Sequence, residues 1–390
     1  MKTIPLGTAA LLAAVLLAGC AGQRYQPAPI AADTTAAGFE ARSLADPAAR
    51  AFVESTLGHP LPEWPPKIWD LRTLSLAGLY FNPALGAARA RLAGTQAALL
   101  TAGARPNPTL TIAPGIPSPY LLNLDLSFPL ETADKRRYRV QAAGDLDRAA
   151  RLDLAGSAWS IHSAVRSALL DFLMASQALD LLRAEAKVRG DQVNILQKVA
   201  DAGEISHMDV DLARIELSKT RLALSAALGQ AAEARASLAI AIGVPVAALQ
   251  NAQFSWPGLD APPGAASFPP AIIQREAVLN RLDIRSSLAQ YAAAEAGLQL
   301  EIAKQYPDID LGPGYAYEER HSYFTLGFSA VIPLFNRNQG PIAEAEARRQ
   351  QAAAAFLETQ ADAIANSERA LTVYIAALEE LAEAEHLLSA

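Results

Sequence analysis

The feature that most constrains this chain of 390 residues is an internal repeat at a spacing of about 200 residues. Each copy runs from a helical pattern to a proline, two strand-like runs, a second proline and a long helical pattern. The aligned segments are Asn82-Pro83-Ala84-Leu85 with Arg281-Leu282-Asp283-Ile284, 107–112 with 306–311, and Phe128-Pro129-Leu130 with Ile332-Pro333-Leu334. The first two pairs are 199 residues apart and the third is 204 apart. The repeat predicts a chain built from two copies of one unit, 69–250 and 271–390.

Long helices are predicted within each copy. No proline occurs in the 115 residues between Pro129 and Pro245. Apolar or small residues recur seven apart in two series: Val165, Phe172, Leu179, Ala186, Val193 and Ala200, then Met208, Ile215 and Leu222. Heptad spacing favours coiled-coil helices, here 132–201 and a returning helix 206–242. The first helix would be about 100 Å long.

The stretch between these helices, Gly203-Glu204-Ile205-Ser206-His207-Met208-Asp209-Val210-Asp211, contains several potential metal ligands. A tight turn over 202–206 explains them otherwise: Gly203 supplies the positive φ that ends a helix, and Ser206 caps the next one. Asp209 completes a capping box. A weak ion site on His207 and Asp211 is the alternative, and no metal site is predicted.

Two strand pairs are predicted, over 109–128 and 308–332. In the last strand, apolar and polar residues alternate, as in a strand with one apolar face. Strands of roughly 8–11 residues suit a tilted transmembrane strand, although an ordinary periplasmic hairpin is the alternative. The prolines bracketing each pair, Pro108, Pro129, Pro307 and Pro333, are predicted to mark helix–strand transitions because proline disfavours helix just before itself.

The N-terminus indicates export. Lys2 and the apolar run from Ala9 to Leu17 have the pattern of a signal peptide, 1–19. Leu17-Ala18-Gly19-Cys20 resembles the lipobox of bacterial lipoproteins, which implies lipid attachment at Cys20, the only cysteine. A plain signal peptide is the alternative. Residues 20–68 are predicted to form an extended, lipidated arm, and the proline-rich segment 251–270 a linker between the repeats.

Several functions are disfavoured by the same sequence. A net charge of −7 without a basic cluster argues against nucleic acid as a partner. Metalloprotease, serine-hydrolase and P-loop motifs are absent from the sequence, as are clusters of cysteine and histidine, so neither enzymatic activity nor a cofactor is expected. In the second repeat the predicted helix 342–390 reaches Ala390 before the counterpart of Gly203. The repeat is therefore expected to be truncated before its turn and returning helix.

Together these motifs resemble the outer-membrane efflux family, the TolC-type channels, from Trp69 to Ala390. The resemblance rests on the prolines and repeated segments above, on Ile332-Pro333-Leu334-Phe335, and on Asp201-Ala202-Gly203-Glu204-Ile205-Ser206. It implies a mainly α fold with a small β part, in a homotrimer. Each chain contributes four strands to a twelve-stranded transmembrane β-barrel, and the coiled-coil helices form a periplasmic α-barrel. Four strands alone are too few to close a barrel, and open edges cannot face lipid.

By this resemblance, the chain is a passive exit duct in the outer membrane, anchored by lipid and extending into the periplasm. It works with an inner-membrane pump of the resistance-nodulation-division type and a periplasmic adaptor. The adaptor docks at the tip formed by Gly203, Glu204, Ile205 and Ser206. Phe128-Pro129-Leu130-Glu131 followed by Lys135-Arg136-Arg137 is most similar to the heavy-metal branch, although the substrate is not fixed by these residues. The alternative is a lipidated coiled-coil adaptor or scaffold without a barrel.

Overall fold

The computed structural model describes residue 22 and residues 24–115, 121–259, 261–318 and 321–389. The predicted signal peptide and Cys20 lie outside these residues. The chain divides into two units, 1–43 and 44–390. The first contains helix α1 (Ala32–Glu40), and the second contains the rest of the fold.

The first half of the second unit holds two short helices, a helix of 21 residues, a long helix pair and one pair of long strands. Its elements are α2 (Pro47–Leu57), β1 (Ile68–Trp69), α3 (Leu71–Phe81), α4 (Pro83–Gly103), β2 (Thr109–Pro114), β3 (Leu122–Leu130), α5 (Lys135–Asp201) and α6 (His207–Ile242). A 3₁₀ helix at Val246–Leu249 and strand β4 (Gln253–Phe254) follow. At 67 residues, α5 is about 100 Å long.

The second half repeats the order of the first. A 3₁₀ helix at Ala265–Ser267 leads to α7 (Pro270–Asn280), α8 (Leu282–Ala303), β5 (Ile309–Glu318), β6 (His321–Ala330) and α9 (Gln339–Ser389). Among the described residues, no helix is both long and apolar enough to cross a membrane.

The prediction of an extended arm is wrong at α1 and α2. Local capping accounts for α2: the Asp46 carboxylate accepts a hydrogen bond from the Ala48 N–H at 2.8 Å, and Pro47 occupies the first turn. Gly58, at φ +78°, ends the helix. The predicted linker 251–270 also contains structure, because β4 pairs in parallel with β1.

The main core lies where α3 packs against α5 and α6. Leu74, Val165, Leu169, Leu238 and Ile242 are completely or almost completely buried there. This core packs the middle of α5 and the C-terminal end of α6 against the short helix α3.

The segment Asn82-Pro83-Ala84-Leu85 joins this core to α6. The Asn82 Oδ1 accepts a hydrogen bond from the Ala84 N–H at 3.0 Å and caps α4. Its Nδ2 donates to the Ala241 carbonyl at 3.2 Å. Gly243 then ends α6 at φ +89°. A Cβ placed on Gly243 would lie 3.0 Å from Asn82 Cα and 3.0 Å from the Phe81 carbonyl oxygen, so the backbone segments meet without room for a side chain.

The two heptad series lie on different sides of the helix pair. In α5, Val165, Phe172, Leu179 and Ala200 are buried. In α6 the buried residues nearer the turn include Val210, Leu217, Ala227 and Ala234. By contrast, Met208, Ile215 and Leu222 of the predicted series are 70%, 52% and 74% exposed. The second series is therefore not the contact between α5 and α6.

The four long strands form one antiparallel sheet in the order β2-β3-β5-β6. The strand pairs of the two repeats meet at its centre, where Leu124 pairs with Tyr315. Strands β2 and β6 are the edges. The sheet therefore depends on both repeats.

Candidate membrane and docking surfaces

One face of the sheet is apolar across all four strands. Paired residues of antiparallel strands share a face, and the register places these residues together: Leu110, Ile112 and Pro114; Leu122, Leu124, Leu126, Phe128 and Leu130; Ile309, Leu311, Pro313, Tyr315 and Tyr317; Phe324, Leu326, Phe328 and Ala330. On β6 it is open, with Phe324 86% exposed. We call this set the apolar face.

The opposite face is polar or lined by small residues. It carries all three carboxylates of the four strands, Asp125, Asp310 and Glu318, and the four strands contain neither lysine nor arginine. Asp125, Gly314 and Thr325 lie in one cross-strand row. A side chain on Gly314 would approach within 2.5 Å of Asp125 Oδ1 and Thr325 Oγ1. This polar face is suited to contact water, not hydrocarbon.

The four predicted transition prolines occupy different positions. Pro108 immediately precedes β2, and Pro307 lies two residues before β5. Pro333 lies in the connection between β6 and α9. Pro129 pairs with Asp310 as the second-last residue of β3, just before the connection to α5. Pairing of β3 with β2 stops at Ser127, so Pro129 has one neighbouring strand, and proline is tolerated at such edge positions.

Polar contacts fasten the long helix α5 to the base of the sheet. The buried ammonium of Lys135 donates to the Tyr306 carbonyl at 2.5 Å and to Asp308 Oδ1 at 2.6 Å. Thr132 donates from its N–H to Asp308 Oδ1 at 3.0 Å and from its hydroxyl to the Pro307 carbonyl at 2.6 Å. Together they tie the start of α5 to the second repeat.

Two arginines connect the same part of α5 to the end of α4, within the first repeat. Arg136 donates to the Gly103 carbonyl, and Arg139 donates to the Ala102 and Ala104 carbonyls. These are the free carbonyls at the end of α4, where a cation is favourable. Arg139 also contacts both carboxylate oxygens of Glu131, at 2.5 and 3.2 Å. The hydrogen bond that Arg139 donates to Glu131 raises the pKa of Arg139, whereas burial acts to lower it.

We predict that Lys135→Met destabilises the protein by about 2 kcal/mol, because it leaves the Tyr306 carbonyl without its donor and Asp308 without its cation. Thermal unfolding of the purified chain measures the loss. The exposed Arg137 is the matched control, and Arg137→Met should change stability by less than about 1 kcal/mol. Equal stability of Lys135→Met and the unsubstituted chain would contradict the assigned contacts.

Two residues that were not predicted from the sequence also belong to the connections between strand and helix. Asp134 precedes α5 at φ +58°, and Asn338 precedes α9 at φ +63°. They lie 204 residues apart, the same spacing as Pro129 and Pro333. Asn338 also donates to the Glu301 carbonyl at 2.7 Å. Aspartate and asparagine tolerate the left-handed conformation, so the repeat extends to the backbone of the strand–helix connections.

The predicted turn between α5 and α6 is present. Gly203 has φ +79°, and its N–H donates to the Ala200 carbonyl at 2.9 Å. The Glu204 N–H donates to the Val199 carbonyl at 3.1 Å. This pair of bonds is the Schellman motif that satisfies a helix C-terminus. The space around Gly203 is open, so its conformation, not crowding, requires glycine.

The other turn residues begin α6. Ser206 Oγ accepts from the Met208 N–H at 3.2 Å, and Asp209 accepts from the Ser206 N–H at 3.2 Å. Ile205 is half-buried and Glu204 is exposed. His207 and Asp211 do not form a metal centre with a third ligand: the described residues contain no group of three potential histidine, cysteine or carboxylate ligands. Asp211 instead accepts from Arg214 at 3.1 Å.

A second apolar stripe runs along each helix of the long pair. On α5, Met174, Leu181, Val188 and Ile195 are seven residues apart and exposed. On α6 the exposed stripe is Met208, Ile215 and Leu222. Each stripe is two residues from the buried series, or about 200° around the helix. Both helices therefore offer a second apolar seam on the side away from their mutual contact.

Residues 79–244 match the family model "Outer membrane efflux protein". The cobalt-zinc-cadmium resistance protein CzcC of Cupriavidus metallidurans is 29% identical over 272 residues, which cover 68% of this chain and 63% of CzcC. This chain thus covers less than two thirds of that relative's length. The pyoverdine export outer membrane protein OpmQ of Pseudomonas aeruginosa is 26% identical over 333 residues, which cover 77% of this chain and 69% of OpmQ.

A solved structure has the same architecture over most of the chain. CusC, whose crystal structures concern transmembrane channel formation, superposes with a TM-score of 0.67 at 18% identity. The match covers 85% of this chain and 82% of CusC. The chain is therefore similar to the outer membrane efflux protein family over residues 79–244 and has the fold of the TolC-type outer membrane channels.

Proposed function

We propose that this protein is the outer-membrane exit duct of a tripartite efflux system. Three copies join their sheets into one barrel, and their helices continue it as a tunnel through the periplasm. A periplasmic adaptor docks at the tip formed by Gly203–Ser206, and an inner-membrane pump, of the resistance-nodulation-division type, drives transport. The duct itself performs no catalysis and needs no cofactor.

The apolar face carries this proposal. A strand of 10 residues is about 33 Å long and, when tilted, spans the roughly 25 Å apolar band of an outer-membrane barrel. The apolar face would meet lipid, and the face with Asp125, Asp310 and Glu318 would meet water. The edges β2 and β6 cannot stay unpaired in lipid, so neighbouring chains must supply their partners.

The exposed stripes on α5 and α6 support the tunnel. A helix in a closed ring touches a neighbour on each side and therefore needs two seams. The stripe from Met174 to Ile195 and the stripe from Met208 to Leu222 meet that requirement. A scaffold without a barrel, the competing function, gives no reason for an apolar sheet face in register over four strands.

For the cargo we propose divalent heavy-metal cations. CzcC is a cobalt-zinc-cadmium resistance protein by name, and the carboxylates of the polar face favour cations over anions. OpmQ, named for pyoverdine export, gives an organic siderophore as the second candidate. Export assays with zinc and with pyoverdine in a strain deleted for the gene separate the two.

The duct and the scaffold differ once the lipid anchor is removed. We would replace Cys20 with serine and supply a signal peptide whose cleavage needs no cysteine. An exit duct should remain in the carbonate-washed outer membrane as a species of three chains and conduct ions in planar bilayers. Recovery of a folded chain in the soluble periplasmic fraction would favour the scaffold.

Lipid attachment at Cys20 is a separate prediction. In the native export pathway, the mature N-terminus should be Cys20 carrying a diacylglyceryl group and an amide-linked acyl chain. Mass spectrometry of the N-terminal peptide measures both. Cleavage at another residue, or an unmodified thiol on Cys20, would contradict the assignment without affecting the channel.

At the tip, Gly203→Val should impair adaptor docking while leaving the trimer intact. A β-branched residue at φ +79° introduces backbone strain of about 1–3 kcal/mol. The turn would change its shape to relieve that strain. Crosslinking of the tip to the adaptor measures docking. Gly190→Val, in the middle of α5 with equally open surroundings, is the matched control and should crosslink normally. Normal docking of Gly203→Val would place the adaptor contact elsewhere.

A further inference from the structure

A groove lies just beyond the last strand, where the apolar face ends. Leu334, Phe335 and Ile342 supply its apolar part, and Arg337, Gln305 and Gln339 supply polar groups. Phe335 is 96% exposed, compared with 69% for Leu334. We call these six residues the basal groove. It combines a hydrocarbon-like surface with a cation.

The charge of Arg337 is available to a ligand. Its main-chain N–H donates to Gln339 Oε1 at 2.8 Å, but its guanidinium makes no hydrogen bond or ion pair with another described residue. The acidic residue at the groove, Glu346, accepts hydrogen bonds from Arg349 at 2.8 Å and from Gln350 at 3.2 Å. Other side chains thus engage the nearby carboxylate.

The basal groove continues the apolar face of the sheet. The last paired residues are Ile309 and Ala330, and the exposed Val331 and Ile332 connect that pair to Leu334. Five residues span at most about 18 Å. If the apolar face meets the hydrocarbon core, the groove lies at the depth of the headgroups in the leaflet that faces the periplasm. Aromatic side chains concentrate at this depth in membrane proteins.

We propose that the basal groove binds a phospholipid of the periplasmic leaflet. The Arg337 guanidinium holds the headgroup phosphate in its planar fork, and Leu334 and Phe335 lie against the first methylenes of the acyl chains. This inference rests on the proposed function, because it uses the membrane position of the sheet. A free phosphate would satisfy Arg337 but would leave Phe335 exposed, so continuity with the apolar face favours lipid.

The test uses the full-length protein purified as a trimer in a non-ionic detergent. Native mass spectrometry would count bound molecules after addition of dioleoyl phosphatidylglycerol. Dioleoylglycerol, with the same chains and no phosphate, and inorganic phosphate are the comparison probes. We expect phosphatidylglycerol to be retained at up to one per chain, dioleoylglycerol to be retained at least fivefold less, and phosphate not to displace the phospholipid.

Two variants in the groove and one outside it complete the test. Arg337→Gln and Phe335→Ser should each reduce phosphatidylglycerol retention at least fivefold. Arg348→Gln makes the same change of charge at an exposed residue further along α9 that pairs with Glu344, and it should retain the lipid as the unsubstituted protein does.

Three results would overturn the inference. Arg337→Gln could retain phosphatidylglycerol fully, or phosphate could compete for the site as a simple anion. The groove variants could instead break the trimer without changing lipid retention per chain, which would make the groove a contact between copies. Failure of the proposed function is distinguishable, because the unsubstituted chain would then form no membrane-embedded trimer at all.

Discussion

Replacing Leu326 with arginine should prevent the protein from assembling in the outer membrane. Leu326 lies near the middle of β6 on the apolar face, opposite Pro313, and its side chain is exposed. An arginine at the midplane of a barrel's lipid-facing surface costs about 2–4 kcal/mol per chain. A trimer carries that cost three times, which is comparable to the whole stability of a typical domain. The amount of trimer in outer-membrane fractions measures the effect.

The preceding residue provides a matched control with the same charge. Thr325 lies on the polar face, in a row with Gly314 and Asp125. Thr325→Arg would place its guanidinium in water near a carboxylate, so the trimer should assemble at close to its normal level. Equal loss in both variants would indicate a general defect of β6, and normal assembly of Leu326→Arg would contradict the membrane assignment of the apolar face.

The second large effect is expected from Gly243→Ala. A methyl group at φ +89° brings left-handed strain of about 1–2 kcal/mol. It also meets the backbone at Asn82 Cα and the Phe81 carbonyl, each at 3.0 Å, and backbone cannot move aside as a flexible side chain can. We expect a total destabilisation of about 2–4 kcal/mol. Chemical denaturation of the purified protein measures the free energy of unfolding.

Gly229→Ala is the control for this substitution. Gly229 lies inside the same helix, α6, and a Cβ there would meet nothing within 4 Å. Alanine at a helix-interior glycine normally stabilises by roughly 0.5–1 kcal/mol, so the two substitutions should have opposite signs. A neutral Gly243→Ala would show that the contact between the end of α6 and Asn82 can relax.

The parts of the fold that the sequence predicts well are those with local causes. The turn at Gly203 and the cap at Ser206 follow from the conformations that glycine and serine adopt at helix ends. The two strand pairs follow from alternation and from the repeat. The α2 helix was missed, although Asp46, Pro47 and Gly58 are local signals for its two ends.

The remaining features depend on contacts between distant segments. The ion pair between the buried Lys135 and the partly exposed Asp308 joins residues 173 apart in the chain. The residues around either partner therefore do not reveal it. Heptad periodicity also does not show which of two apolar stripes on a helix packs against the neighbouring helix of the same chain. Met208, Ile215 and Leu222 have the heptad spacing, but Val210 and Leu217 are the residues that face α5. Whether β3 continues through Pro129 likewise depends on where β2 stops pairing, which the residues around Pro129 do not indicate.

The central pairing of β3 with β5 has a consequence for how the protein folds. Leu124 and Tyr315, which pair across that seam, are separated in the chain by the four helices α5 to α8. In the proposed outer-membrane channel, the first strand pair is synthesised and exported before its partner, and an isolated hairpin is at best marginally stable in water. Its apolar residues must therefore cross the periplasm without their final neighbours. Pairings of such long sequence separation form slowly and leave the chain prone to aggregation, so assembly of this sheet should depend on periplasmic chaperones that shield Leu122–Leu130 until β5 arrives.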